Sequence, residues 1–270
     1  MEINEKIIRL LSEVKRKKPL VHNITNYVTV NDCANIILAI GGSPVMADAV
    51  EEVEDMISIA SALVINIGTL NNRTVAAMIL AGKKANEKGI PVVLDPVGVG
   101  ATSFRKQVAL KLIREINFSV IRGNMAEIKV LSGIEALSKG VDSEESLNDG
   151  KQVAKDLASA LKTVVAITGV IDYISDGEKV ISINNGHEIL TKVTGTGCMT
   201  TCLIGVYAGV TKDYITAATA GIMTMGIAGE KAFAELTKTE GSGSFKVLLM
   251  DNIYNFSGDD IIKIGRANEL

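Results

Sequence analysis

The sequence predicts an α/β fold: a mostly parallel, doubly wound sheet flanked by helices, with a short antiparallel hairpin and a helical C-terminal third. Three observations lead there. Short β-branched runs recur along the first two thirds of the chain, and they are continuously apolar rather than alternating, which marks strands buried on both faces. Segments with helical spacing separate these runs, and β-α-β-α order implies parallel strands joined by right-handed crossovers. The pattern then breaks after Thr168-Gly169.

Taken in order, Ile3, Ile7, Leu11 and Val14 share one face of a first helix. The basic run Lys15-Arg16-Lys17-Lys18 closes that helix, where cations complement its dipole. Asn23, Thr25 and Asn26 read on their own as a turn before a helix containing Cys33 to Ile40. Strands are predicted at Ala62–Ile67, Pro91–Leu94, Phe118–Ile121 and Thr163–Ile167, with helices at Arg73–Lys88, Ser103–Ile116 and Glu144–Leu161 between them. Ile171–Ser175 and Lys179–Ile183 form the hairpin, with Asp176-Gly177 in its turn. Met199 to Val210 reads as a buried helix. Asp213 to Phe233, rich in Ala, Gly, Thr and Met, suits close helix packing. With no internal repeat, low-complexity tract or linker, residues 1–270 are expected to form one domain.

Composition excludes several function classes. A net charge of −3 advertises neither a nucleic-acid surface nor an anionic membrane surface. Neither a cleavable leader nor an uncharged apolar stretch of about 18–20 residues is apparent. Three cysteines, Cys33, Cys198 and Cys202, are too few for a disulfide framework, so a reduced, cytoplasmic setting is expected. Cys198 and Cys202 could share a helix face, but His22 and His187 lack the spacing of zinc ligands.

Ligands of open parallel sheets bind beyond the carboxyl ends of the strands. Four such ends carry polar or glycine-rich groups: Gly68-Thr69, Asp95-Pro96-Val97-Gly98, Arg122-Gly123-Asn124 and Thr168-Gly169. Asp95 is expected at the lip of the sheet. Asn124 and Glu127, three apart on a helical first turn, are expected to point together into the cleft. Carboxylates there suit Mg²⁺, which takes oxygen ligands, and Arg122 offers a cation to phosphates. Taken singly, Asp95 reads rather as a helix cap or turn residue and Glu127 as a capping partner. The run Thr194-Gly195-Thr196-Gly197-Cys198 precedes a buried helix, where aligned N–H groups and the helix dipole cradle an anion. Cys198 is expected at the first helical position, beside that anion. A P-loop is absent, and Gly98-Val99-Gly100 lacks the third glycine of a dinucleotide fingerprint.

Three stretches carry a resemblance: His22 to Asn31 with Gly41 to Met46; Asp95 to Gly100 with Arg122 to Glu127; and Thr194 to Met199. On these the chain resembles the hydroxyethylthiazole kinases, a family of the ribokinase-like fold. The first stretch is particular to that family, and the other two mark the wider superfamily. The resemblance implies ATP- and Mg²⁺-dependent phosphorylation of the primary alcohol of 4-methyl-5-(2-hydroxyethyl)thiazole, in thiamine biosynthesis or salvage. By position it implies Asn26, Val28, Met46 and Gly195 at the thiazole, Arg122 and Thr168 at ATP, and Asp95 and Glu127 at Mg²⁺. Gly195, Thr196, Gly197 and Cys198 would form the anion hole. It also implies a homotrimer with active sites between subunits.

Many ribokinase-like enzymes place a basic Asp where this chain has Cys198. An unperturbed thiol titrates near roughly 8.5; a helix N-terminus lowers that value, while an incoming phosphate opposes the shift. A loose transition state requires little proton removal before attack. Cys198 is therefore expected to position the hydroxyl and to act at most as a modest base. Alternatives are a kinase for another small alcohol such as hydroxymethylpyrimidine, or a non-catalytic nucleotide-binding protein on the same fold.

Overall fold

The apolar runs assemble into the middle of a nine-stranded sheet in the computed structural model, which describes residues 2–139 and 149–270. Strands β1 (Leu20–Ile24), β2 (Ser43–Val45), β3 (Ala62–Asn66), β4 (Val92–Asp95), β5 (Val120–Asn124) and β6 (Val164–Thr168) are parallel. Strands β7 (Asp172–Ser175), β8 (Val180–Ile183) and β9 (Ala267–Glu269) continue antiparallel. The order is β2-β1-β3-β4-β5-β6-β7-β8-β9. The chain reverses its travel between β1 and β3, the kind of switch point at which such sheets bind ligands.

Helices cover both faces. Helices α1 (Ile3–Lys17) and α2 (Val30–Ile40) lie on one, and α3 (Val53–Ile59), α4 (Asn72–Glu87), α5 (Ser103–Glu115), α6 (Met125–Lys139) and α7 (Gly150–Leu161) on the other. Helices α8 (Thr196–Ala208), α9 (Tyr214–Glu235), α10 (Ser242–Tyr254) and α11 (Gly258–Ile264) return to the first face. Alternation along each strand feeds the two cores: Val64 enters the first, Leu63 and Ile65 the second. Among the described residues no helix is long and apolar enough to cross a membrane.

The predicted central strands, and the helices expected at Arg73–Lys88 and Ser103–Ile116, occur within three residues of their expected limits, whereas α7 starts at Gly150. Residues 144–148 of the predicted helix ending at Leu161 lie outside the described residues. Among the described residues, strands β1, β2 and β9, helix α3 and a 3-10 turn at Glu188–Lys192 went unpredicted. Strand β1 carries His22 and also Asn23, which reads as part of a turn, yet both are buried: His22 Nε2 lies 2.7 Å from Ala47 O, and Asn23 Nδ2 donates to Val21 O. Strand β2 is a three-residue edge strand, where Pro44 is tolerated. Helix α3 is short, and β9 is polar and largely exposed.

Helix α8 is buried on all sides from Met199 to Ala208, as an apolar helix without a polar face must be. Helix α9 presses on it through Gly221, where an added Cβ would lie 2.7 Å from Ile204 N and 2.9 Å from Ile204 Cα. Backbone cannot retreat as a flexible side chain can. Gly221→Val is expected to cost about 3 kcal/mol, read in a thermal melt as a fall in Tm of roughly 6–12 °C.

Candidate active site

The glycine turn shapes the start of α8. Gly195 is the N-cap at φ +86°, and a Cβ there would lie 2.5 Å from Thr29 Cγ2, so both the backbone conformation and the space require glycine. Its left-handed conformation starts the helix at Thr196, which makes Cys198 the third helical residue rather than the first. Met199 N is the first amide to bond back along the helix, to Gly195 O at 2.8 Å. The N–H groups of Thr196, Gly197 and Cys198 therefore lack intrahelical acceptors and lie at the positive end of the dipole. An added Cβ on Gly197 would lie 2.8 Å from Arg122 Nη1, so the guanidinium rests against the turn. Together they can receive an anion.

The strand ends converge on this turn. Arg122, from β5, donates from Nη2 to Thr168 Oγ1 on β6 at 2.5 Å, and its Nη1 lies 4.0 Å from Asp95 Oδ2. Asp95 is fully buried at the end of β4. Its Oδ2 accepts from Asn66 Nδ2 at 3.0 Å and from Thr201 Oγ1 at 2.9 Å, while Oδ1 is buried without a partner. Burial pushes its pKa up to about 6; the Arg122 charge opposes this, and the Glu127 charge adds to it.

Asn124 and Glu127 do not turn jointly into the cleft. Asn124 Oδ1 accepts from Glu127 N at 2.9 Å, and Glu127 Oε2 accepts from Asn124 N at 2.8 Å. This reciprocal cap at the start of α6 satisfies two orphan helix donors. Glu127 Oε1 also accepts from Gly98 N at 2.9 Å, tying the turn after β4 to α6. Glu127 thus reaches the Asp95 neighbourhood as a turn-holding carboxylate.

Cys198 Sγ accepts from Asn66 Nδ2 at 3.2 Å and from Asn26 Nδ2 at 3.3 Å. Burial chiefly, then the Asp95 charge, raises the thiol pKa, although the neighbouring Thr29 and the hydrogen bond from Asn26 act the other way. A thiol pKa raised above its ordinary value leaves Cys198 neutral near pH 7. Asn26 is buried, with all its polar atoms engaged inside the protein. Met46 is half-buried against the same core that receives Cys198. Val28, 59% exposed, stands in solvent beside Tyr27 rather than in its own chain's cleft.

A cleft of roughly 660 Å³ opens from the turn, lined by Arg122, Thr168, Gly169, Asp172, His187 and Gly197 among others. The His187 and Phe233 rings stack with centroids 3.6 Å apart. Sequence reasoning missed three residues. Thr201 lies hidden in an apolar helix, and Asp172 in a hairpin strand. Asn66 left a signal, as the lone polar residue of Ala62–Ile67.

Asp172 Oδ1 accepts from Gly169 N at 2.9 Å, and burial pushes its pKa up to about 7 against that bond and the Arg122 charge. Between its unfolded value near 4 and about 7, the folded chain holds more protons than the unfolded chain, so stability falls as pH rises through this window. Asp172→Asn keeps an acceptor for Gly169 and removes the buried charge. Its Tm at pH 8 is expected to rise by about 2 °C or more, with little change near pH 4. A melt with the parent's pH dependence would refute this.

The hydroxyethylthiazole kinase family model matches residues 11–259. Hydroxyethylthiazole kinase of Alkaliphilus oremlandii is 57% identical over 271 residues, covering 100% of both chains. That of Clostridium beijerinckii is 54% identical over 274 residues, covering 100% of this chain and 99% of its own. The structure of hydroxyethylthiazole kinase from Pyrococcus horikoshii superposes with a TM-score of 0.90 at 43% identity, covering 98% of this chain and 99% of that one. A Staphylococcus aureus pyridoxal kinase in complex with AMP-PCP shares the fold alone, with a TM-score of 0.63 at 14% identity over 94% of this chain and 99% of its own. The fold is ribokinase-like, and the chain belongs to the hydroxyethylthiazole kinase family.

Proposed function

We propose that this chain, acting as one kinase domain, transfers the γ-phosphoryl group of ATP to the primary alcohol of 4-methyl-5-(2-hydroxyethyl)thiazole, in thiamine biosynthesis or salvage. The observation that carries the reading is the seating of Arg122 against Gly197 at the head of α8. A guanidinium and a helix terminus aimed at one point stabilise charge spread over the oxygens of a transferring phosphoryl group. Arg122 and Thr168 would hold the nucleotide phosphates in the cleft. Gly195, Thr196, Gly197 and Cys198 would enclose the transferred group. Cys198, as a neutral thiol, would position the alcohol rather than deprotonate it in advance.

The residues present fit a magnesium ion. Asp95 Oδ1 is a buried oxygen without a partner, and Glu127 supplies a second carboxylate whose charge reaches it. Among the described residues no group of three or more His, Cys, Asp or Glu could hold a metal. Two carboxylates suit an ion that shares its coordination with nucleotide phosphates. Bound there, Mg²⁺ would neutralise phosphate charge. Glu127→Gln leaves one oxygen for the Gly98 and Asn124 amides. It is expected to lower kcat about tenfold and to move the Mg²⁺ titration to higher concentration; an unchanged titration removes Glu127 from the metal site.

Asn26, Val28, Met46 and Gly195 complete the reading at the thiazole. The exposure of Val28 (59%) and Tyr27 (79%) supports a homotrimer in which the amino-terminal segment serves a site between subunits. Three free cysteines support a cytoplasmic location. The test is direct: purified protein with ATP, Mg²⁺ and hydroxyethylthiazole should yield ADP and the thiazole phosphate in equal amounts by mass spectrometry. Turnover of hydroxymethylpyrimidine instead, or ATP binding without product, would overturn the reading.

A further inference from the structure

Asn66 is 2% exposed and makes four hydrogen bonds, the full capacity of a side-chain amide. Its Oδ1 accepts from Gly68 N at 2.8 Å and from Asn26 Nδ2 at 3.0 Å. Its Nδ2 donates to Asp95 Oδ2 at 3.0 Å and to Cys198 Sγ at 3.2 Å. A backbone N–H can only donate, so the Gly68 bond determines which end of the amide is oxygen. The NH2 group must then face Asp95 and Cys198.

Asn26 is built the same way. Its Oδ1 accepts from Thr29 N and Thr29 Oγ1, each at 3.1 Å, and its Nδ2 donates to Asn66 Oδ1 and to Cys198 Sγ. The Thr29 N–H orients this amide as the Gly68 N–H orients the other. Two saturated amides, linked to each other, therefore present N–H groups to one sulfur. One of them holds the Asp95 carboxylate with its second hydrogen.

We propose that Asn66, supported by Asn26, is a positioning residue that fixes the Cys198 sulfur and locks its distance from the Asp95 carboxylate. A single rigid amide spans the acidic side of the site and the thiol side. Neither side can shift without breaking a hydrogen bond to one of two saturated, buried amides. The catalytic consequence rests on the proposed phosphoryl transfer; the placement of the sulfur does not.

Asn66→Ser is the discriminating variant. A serine hydroxyl can still accept from the N–H two residues on, preserving the turn at Gly68, but it is too short to bridge to both Cys198 and Asp95. At one pH, alkylation of Cys198 by iodoacetamide, resolved by peptide mass from Cys33 and Cys202, is expected to slow at least about threefold, because a donor that favours the thiolate is lost. The kcat for thiazole phosphorylation is expected to fall about tenfold or more, with KM for ATP within about twofold. In a Cys198→Ala background the same substitution is expected to cost clearly less than in the parent, since one of the two groups that Asn66 holds is gone. An unchanged alkylation rate, or equal kcat losses in both backgrounds, overturns the proposal. If the serine variant does not fold, side-chain amide NMR of the Cys198→Ala chain decides. Hydrogen exchange at Asn66 should quicken when the sulfur acceptor is removed, and exchange as slow as in the parent overturns the proposal. A parent that phosphorylates no thiazole sinks the functional reading, while the alkylation and exchange results still stand.

Discussion

Arg122→Met should lower kcat/KM for ATP by about 10²–10³-fold, the loss typical when a preorganised group stabilising developing charge is removed. The side chain has 12% of its surface exposed, and it touches Thr168, Gly197 and the neighbourhood of Asp95 together. Methionine fills much of the same volume and supplies no charge. The substitution also predicts a stability signature. The Arg122 charge restrains the upward pKa shift of Asp95, so its removal raises that pKa further above about 6. A raised carboxylate pKa costs stability above the unfolded value near 4, increasingly as pH climbs to the folded value. The variant should therefore recover more Tm than the parent when the buffer is moved from pH 8 to pH 6. Steady-state kinetics with ATP varied, beside melts at both pH values, check the two parts separately; activity within tenfold of the parent removes Arg122 from the phosphate site.

Asp95→Asn should cut kcat by about 10²–10³-fold while leaving the fold intact or stabilised at pH 8. An asparagine can place its one oxygen where Oδ2 lies, preserving acceptance from Asn66 and Thr201, and its NH2 where the unpartnered Oδ1 lies. The lost properties are the charge and the free acceptor. Above pH 6 the parent bears the cost of an ionised, fully buried carboxylate, and the variant does not. Activity and stability thus move in opposite directions, as expected where a strained group is kept for function. A variant with Tm maintained and kcat within tenfold of the parent would show that the carboxylate is not needed at the site.

Much of the architecture was legible because it depends on short-range patterns. Ala62–Ile67 and Thr163–Ile167 read as central strands because burial on both faces demands continuous apolar residues. The hairpin declared itself through Asp176-Gly177, and Gly177 has the positive φ, +96°, that such a turn requires. Strand β1 was illegible for the opposite reason. His22 and Asn23 are polar, and Ala47 O and the Cys202 thiol, which meet them from distant parts of the chain, leave no local trace of their burial. Asn124 and Glu127 show the limit of spacing arguments. Three residues apart at a helix start suits both a joint ligand pair and a reciprocal cap, and the backbone amides of Asn124 and Gly98 decided for the cap.

The sequence by itself determined the parallel sheet, the glycine turn before α8, the strand-end polar residues and the family motifs. These follow from periodicity and from backbone chemistry within a few residues. Tertiary structure decided the state of each functional atom. It buried Asp95 and raised its pKa, set the guanidinium of Arg122 against Gly197, and left Val28 in solvent. It also brought Asn66 to Cys198 across 132 positions, and to Asp95 across 29. Dehydration and long-range hydrogen bonding set the charge and orientation of a side chain. Both depend on neighbours that meet only once the sheet and its helices have closed around them.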